Sequence, residues 1–207
     1  MHSSFKVLAC ILLCTQLGWS QEKVKDTTHT RNEFSKTFFE IAYTQPVSYG
    51  DNFINKGYDL SGTIDVGITT AFYYNTTLHF DVNIASGDVT RPDLVGNIRS
   101  AIFTRISGGI GYPLDITDKL QFIPSLHIGY LKIGQNGFDG EFRDDGVFLA
   151  PEVAFYYAVF GWIDISLGAR NYFDFIRIDA PSDVRSFFNN AQSVYPYIGL
   201  RFLLDKV

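Results

Sequence analysis

From residue 37 onward the chain alternates hydrophobic and polar residues with a period of two, in eight blocks separated by turn-forming residues. This is the pattern of half-buried strands rather than helices. One set of alternate positions is apolar: Phe39 to Tyr43, Ile64 to Ile68, Leu78 to Ile84, Ile102 to Ile110, Leu126 to Tyr130, Val147 to Val153, Ile163 to Leu167, and Ile198 to Leu204. No charge interrupts this face. The intervening positions are polar or small, and they carry Glu40, Asp65, His79, Asp81, Arg105, His127, Glu152, Asp164, Arg170, Asp174 and Arg201.

The links between blocks alternate in length. Short ones are expected at 75–76, 117–119 and 160–161, and long ones at 48–58, 91–99, 135–146 and 176–193. Blocks of roughly ten residues suit tilted strands crossing a bilayer, and alternating short turns and long loops are a property of transmembrane barrels. The expected fold is all-β, an eight-stranded antiparallel up-and-down transmembrane β-barrel over residues 37–207.

The same alternation fits a secreted soluble barrel with its apolar face inward around an apolar ligand. Three features favour the membrane arrangement. Gly67, Gly109, Gly129, Gly168 and Gly199 stand on the polar face, where a crowded interior needs small residues. No lysine stands on that face, whereas a water-facing sheet uses lysine freely. Apolar-face aromatics gather at block ends, with Phe39, Phe80, Phe122, Tyr157 and Phe202 toward the short turns and Tyr43, Tyr130, Phe173 and Phe175 toward the long loops. Two aromatic girdles around an aliphatic belt are what amphipathic rings form at lipid interfaces.

Composition adds an address. Residues 1–20 read as a secretory signal peptide: His2 and Lys6, an apolar run from Val7 to Leu17, and small residues before Gln21. Residues 21–36 are polar and aperiodic, a periplasmic N-terminal arm. Cys10 follows too short an apolar run to be a lipoprotein anchor, and with Cys14 it falls inside the signal, so the processed chain has no thiol. Losing Lys6 leaves 16 basic against 22 acidic residues, a formal charge of −6. That balance disfavours nucleic acid, whose phosphates need clustered Lys and Arg.

The final block reads Tyr197-Ile198-Gly199-Leu200-Arg201-Phe202-Leu203-Leu204. Tyr197, Gly199, Phe202 and Leu204 fill the places of the C-terminal assembly signal of outer-membrane barrels, although Asp205-Lys206-Val207 extend beyond its usual terminal aromatic. On export, strand number and this segment, the chain resembles the small outer-membrane β-barrel proteins, the OmpA-like and OmpX-like barrels of the outer membrane protein beta-barrel domain group. The resemblance implies residence in the outer membrane of a Gram-negative bacterium. It also implies contact with outer-membrane lipids and lipopolysaccharide, assembly by the barrel assembly machinery, and a monomer. It carries over no catalytic residue and no cofactor.

Function is less legible. Eight strands leave an interior wide enough only for side chains, so the lumen residues are expected to form a polar, charged plug. The first reading is a non-enzymatic envelope protein with a structural or surface-interaction role, in which the external loops, above all Ser186-Phe187-Phe188 within 176–193, would meet a surface ligand. The second is a narrow ion or small-solute channel. A third is an outer-membrane lipid hydrolase built on Ser125 and His127. The lipid A deacylase barrels place their serine two residues after the histidine, where this chain has Gly129, and no orienting acid is identifiable from the sequence. The acidic loop Asp139, Glu141, Asp144 and Asp145 lacks EF-hand spacing, and no metal site is expected. Intact mass of the exported protein is expected to correspond to a chain beginning at Gln21; retention of residues 1–20 would remove the signal-peptide reading.

Overall fold

The computed structural model describes residues 36–138 and 140–204. The expected signal peptide and the arm up to residue 35 lie outside the described residues, as do Asp139 and residues 205–207. The described strands are, in chain order, β1 (Thr37–Thr44), β2 (Val47–Tyr49), β3 (Tyr58–Leu60), β4 (Thr63–Ala71), β5 (Thr77–Val89), β6 (Ile98–Gly111), β7 (Leu114–Asp115), β8 (Leu120–Gly137), β9 (Glu141–Phe160), β10 (Ile163–Ile176) and β11 (Asn190–Leu203). Three short helices lie in the connections: α1 (Phe53–Gly57), α2 (Pro92–Val95) and α3 (Arg185–Asn189).

Eight strands form a ring, antiparallel throughout, in the order β1, β4, β5, β6, β8, β9, β10, β11. The ring closes between β11 and β1, from Phe38 opposite Leu203 to Thr44 opposite Tyr197. The fold is thus a closed, eight-stranded, up-and-down transmembrane β-barrel. Closure leaves no strand edge to be hydrated, which is what allows strands to stand in lipid. β2 resumes the line of β1 after Pro46 and pairs with β11, and β3 precedes β4 in line and pairs with β5, so both lines continue past a break. The first short turn places Tyr74 and Asn75 at φ 51° and 57°, the left-handed pair that a tight hairpin requires.

The period-two pattern divides the faces as the sequence requires. Ile128 and Leu167 are 68 % and 59 % exposed, while Glu152 and Arg105 on the other face are 5 % and 2 % exposed. An exterior of bare Ile, Leu, Val and Phe would be unfavourable in water, and lipid is the solvent that suits it. On β8 the outward residues from Phe122 to Tyr130 are all apolar, a span of nine residues, close to the 9–11 or so that a tilted strand needs. Directly above, Lys132 stands opposite Asp145 of β9 and the outward face becomes polar. Rings line both borders: Phe39 and Phe202 (centroids 6.5 Å apart), Phe122 and Phe155 (4.9 Å) toward the short turns, and Tyr43, Tyr130 and Phe175 toward the long connections.

Two expectations change. The segment 135–146 is not a loop: β8 and β9 pair continuously from Leu120 opposite Tyr157 to Asn136 opposite Glu141. The hairpin stands clear of the apolar belt, where, apart from Phe138 and Phe142, both its faces are polar or glycine and the alternation that marks a strand disappears. The second short link, in turn, runs over residues 112–119 and includes β7, paired with Phe122 and Gln121.

The lumen is also not polar throughout. Toward the long connections it is filled by Ala85, Ala101, Phe103, Leu131, Ile133, Phe148, Ala150 and Tyr172, into which the first connection inserts Phe53, Ile54, Tyr58 and Leu60. Asn52 fixes this insertion. Its side chain caps α1 by accepting from the Asn55 N–H at 2.9 Å and donates to the Tyr49 carbonyl at 2.7 Å. Each large apolar side chain so buried contributes about 1.5–3 kcal/mol.

Leu167→Arg, on the lipid face, is expected to destabilise the barrel by roughly 2–4 kcal/mol. Urea unfolding in lipid vesicles, followed by heat-modifiable gel migration, would measure the loss; an unchanged midpoint would mean that this face does not meet lipid.

Candidate functional site

Below the apolar layer, alternate positions of the eight strands turn ionisable groups toward one another. Arg170 on β10 is the hub. Its guanidinium lies 2.6 Å from Glu152 on β9, 3.4 Å from Asp65 on β4 and 3.5 Å from Asp81 on β5, and it donates to the Tyr172 hydroxyl at 3.3 Å. His127 on β8 joins the same group, with Nε2 2.8 Å from Glu152 and Nδ1 3.1 Å from Asp81. Glu152 also accepts from the Tyr197 hydroxyl at 2.5 Å. Three carboxylates therefore face one guanidinium and one imidazole.

Two satellites flank this hub. Nearer the apolar layer, Arg105 reaches across the barrel to Asp174 (2.7 Å) and to the Tyr195 hydroxyl (2.8 Å), and its charge lies over the Tyr172 ring at 4.6 Å. Toward the short turns, Arg201 pairs with Asp164 at 2.6 Å and stacks on Tyr156 and Phe38 at 3.7 and 4.2 Å, while Tyr156 donates to Glu40 at 3.2 Å. His79 stands beside the hub, bonded to Thr69 and Thr77 at 3.2 and 2.9 Å, with its ring 5.3 Å from that of His127. The structure thus brings Glu40, Asp65, His79, Asp81, Arg105, His127, Glu152, Asp164, Arg170, Asp174 and Arg201 into one lumen.

Packing leaves little room. The void lined by Glu40, Asp65, Asp81, Arg170 and Tyr197 measures about 10 Å³, space for about one water. A Cβ added to Gly129 would lie 2.3 Å from the Ile106 carbonyl oxygen and 2.5 Å from the Phe148 ring. Only glycine lets these strands and that ring approach so closely.

Ser125 and His127 do meet, Oγ to Nε2 at 3.0 Å, and an acid that the sequence did not reveal, Asp81, lies at Nδ1. The Asp81 contact lacks the alignment of a hydrogen bond, and Glu152 shares Nε2 with the serine. The pair faces the filled lumen, where the His127 side chain is fully buried.

Of the four terminal-strand residues singled out, Tyr197 turns into the lumen, Gly199 sits opposite Ala42, and Phe202 and Leu204 turn outward at the border near the short turns. Phe187 and Phe188, expected on a free loop, instead pack on the apolar layer through α3, with Phe188 5.8 Å from Phe53. Sequence reading missed the Phe53-Ile54 insertion. The available signal was an apolar pair inside an otherwise polar connection.

The fold and its lumen define a class: small, eight-stranded, outer-membrane-type barrels with a side-chain-filled interior. Searches of solved structures agree. The structure matches Neisserial surface protein A (12% identity, 81% of this chain and 95% of that chain, TM-score 0.55), Ail, the attachment invasion locus protein of Yersinia pestis (12%, 81% and 99%, 0.51), and the outer membrane protein AlkL (11%, 89% and 97%, 0.54). Identities this low establish a shared fold. No family model and no curated protein matches the sequence.

Arg170→Ala leaves Glu152, Asp65 and Asp81 without their main cation and is expected to cost roughly 3–5 kcal/mol of stability. Arg170→Lys should lose less, since one charge remains. Equal, small losses for both in vesicle unfolding titrations would show that the hub is hydrated rather than mutually paired.

Proposed function

We propose that this chain is a non-enzymatic, integral outer-membrane protein of a Gram-negative bacterium, a sealed barrel that carries its function on the end formed by the long connections. The observation that supports this most is the two-layer filling of the lumen. A file of ions would have to pass both the Arg170 hub and the apolar layer under Phe53, and each is closed by packed side chains. What the barrel offers instead is a rigid platform: the β8–β9 hairpin stands above the belt, and α1, α2 and α3 are folded against its mouth. Binding residues commonly sit on connections held by a rigid scaffold.

Tyr197, Gly199, Phe202 and Leu204 are proposed to serve as the assembly signal read by the barrel assembly machinery. Lipopolysaccharide and phospholipid are the proposed surroundings of the belt, and a monomer is the proposed state.

In planar bilayers the purified barrel is expected to give no conductance above background. Steady single-channel openings that shift with Glu152→Gln would overturn the sealed-lumen reading in favour of a narrow channel.

A further inference from the structure

All four long connections converge on one cleft of about 340 Å³, within the ~300–1,000 Å³ usual for small-molecule sites. Its walls are aromatic: Phe53 from α1, Tyr58 from β3, Phe142 from β9 and Phe188 from α3. Asn97, Gln135 and Asp144 supply its polar side chains, and among the described residues no Lys, Arg or His lines it.

The polar groups are ordered. Tyr58 donates to the Gln135 side-chain carbonyl at 3.4 Å, and the Gln135 amide donates to Asp144 Oδ2 at 2.5 Å. Burial, with Asp144 nearby, pushes the Tyr58 phenol well above its usual range, so it remains a donor. The neighbouring carboxylates already have cations: Asp145 pairs with Arg177 at 2.9 Å and Glu141 with Arg143 at 3.5 Å. Among the described residues no cation pairs with Asp144, which lies beside the rings and accepts from Gln135.

The cleft is also held in shape. α1 and α2 approach so closely that a Cβ on Gly57 would lie 2.4 Å from Val95, and the Thr90 N–H donates to the Gly57 carbonyl at 2.9 Å. Walls fixed before binding need little ordering when a ligand arrives.

We propose that this cleft binds a small organic cation with an apolar body, an aryl- or alkylammonium compound, whose ammonium group meets Asp144 and whose body lies among Phe53, Tyr58, Phe142 and Phe188. A cation satisfies the carboxylate and gains from ring faces that repel anions. A neutral apolar ligand would bury the carboxylate unpaired. The inference rests on the reading of the barrel as a platform for its long connections and names the ligand class of that end.

The test uses the exported chain in phosphatidylcholine nanodiscs, titrated with 2-phenylethylammonium and followed by amide chemical shifts, with empty discs as the partition control. Saturable shifts at Tyr58, Gln135 and Asp144 are expected. The anion 3-phenylpropionate should give none, and 2-phenylethanol should bind more weakly than the cation. Asp144→Asn should weaken the cation about tenfold, a typical scale for one charge contact, with heat-modifiable migration retained. Phe188→Leu gives a second reading that leaves the carboxylate in place, with a severalfold loss expected. Absence of saturable shifts, equal binding of the anion, or unchanged affinity in both variants would overturn the proposal. A barrel silent in bilayers that fails these titrations loses the ligand assignment and keeps the sealed platform; a conducting barrel loses the platform reading itself.

Discussion

A strand in lipid has no water to satisfy its edge, and each unpaired N–H or C=O there costs several kcal/mol. The ladder that joins β11 back to β1 is therefore the constraint on which the rest of the molecule depends. Closure with eight strands fixes a narrow interior, and a narrow interior must be filled by its own side chains. Everything noted inside the barrel follows from that. Glycines stand where backbones and rings approach, and arginines reach across to carboxylates on distant strands. An apolar layer takes over where the first connection folds inward.

The charged layer is an uneconomical way to hold a barrel together, because buried ion pairs lose in desolvation much of what they gain in attraction. Its geometry suggests what it contributes instead. Arg170 on β10 engages β4, β5 and β9, and His127 adds β8. Shifting any of these strands by one residue would turn its charge into the lipid and leave the others unpaired. The hub thus fixes the register of the β4–β5 pair against the β8–β9–β10 group, which do not adjoin each other, while the aliphatic exterior, which looks much the same at each step, does not.

Where lipid lies on one side and the lumen on the other, a single sequence period reports both, and the eight strands, their faces and the inward ionisable residues were legible. Above Lys132 and Asp145 water replaces lipid. Gln135, Asn136, Glu141, Arg143 and Asp144 are then polar on both faces, and a paired hairpin reads as a loop. The apolar layer was hidden for the opposite reason: Leu131 and Ile133 are apolar on the parity that carries polar groups lower in the barrel, so the inward face changes character without a change of period. Parity could name the inward charges, but not that Arg105 would reach Asp174 or that Asp81 would lie beside His127. Those pairings pass over intervening strands and depend on the barrel's radius and strand tilt.

The step on β8 from Tyr130 to Lys132, matched on β9 by Val147 and Asp145, acts as a load line on a hull. Sinking the barrel by one residue pair would drag Lys132 and Asp145 into hydrocarbon, and raising it would strip lipid from Tyr130, Val147 and their neighbours. Draught is therefore fixed on the hairpin side to within a single pair, and Gln135, Asp144 and Phe142 ride above it whatever the bilayer does below. A molecule reaching them comes from water and not sideways out of the membrane.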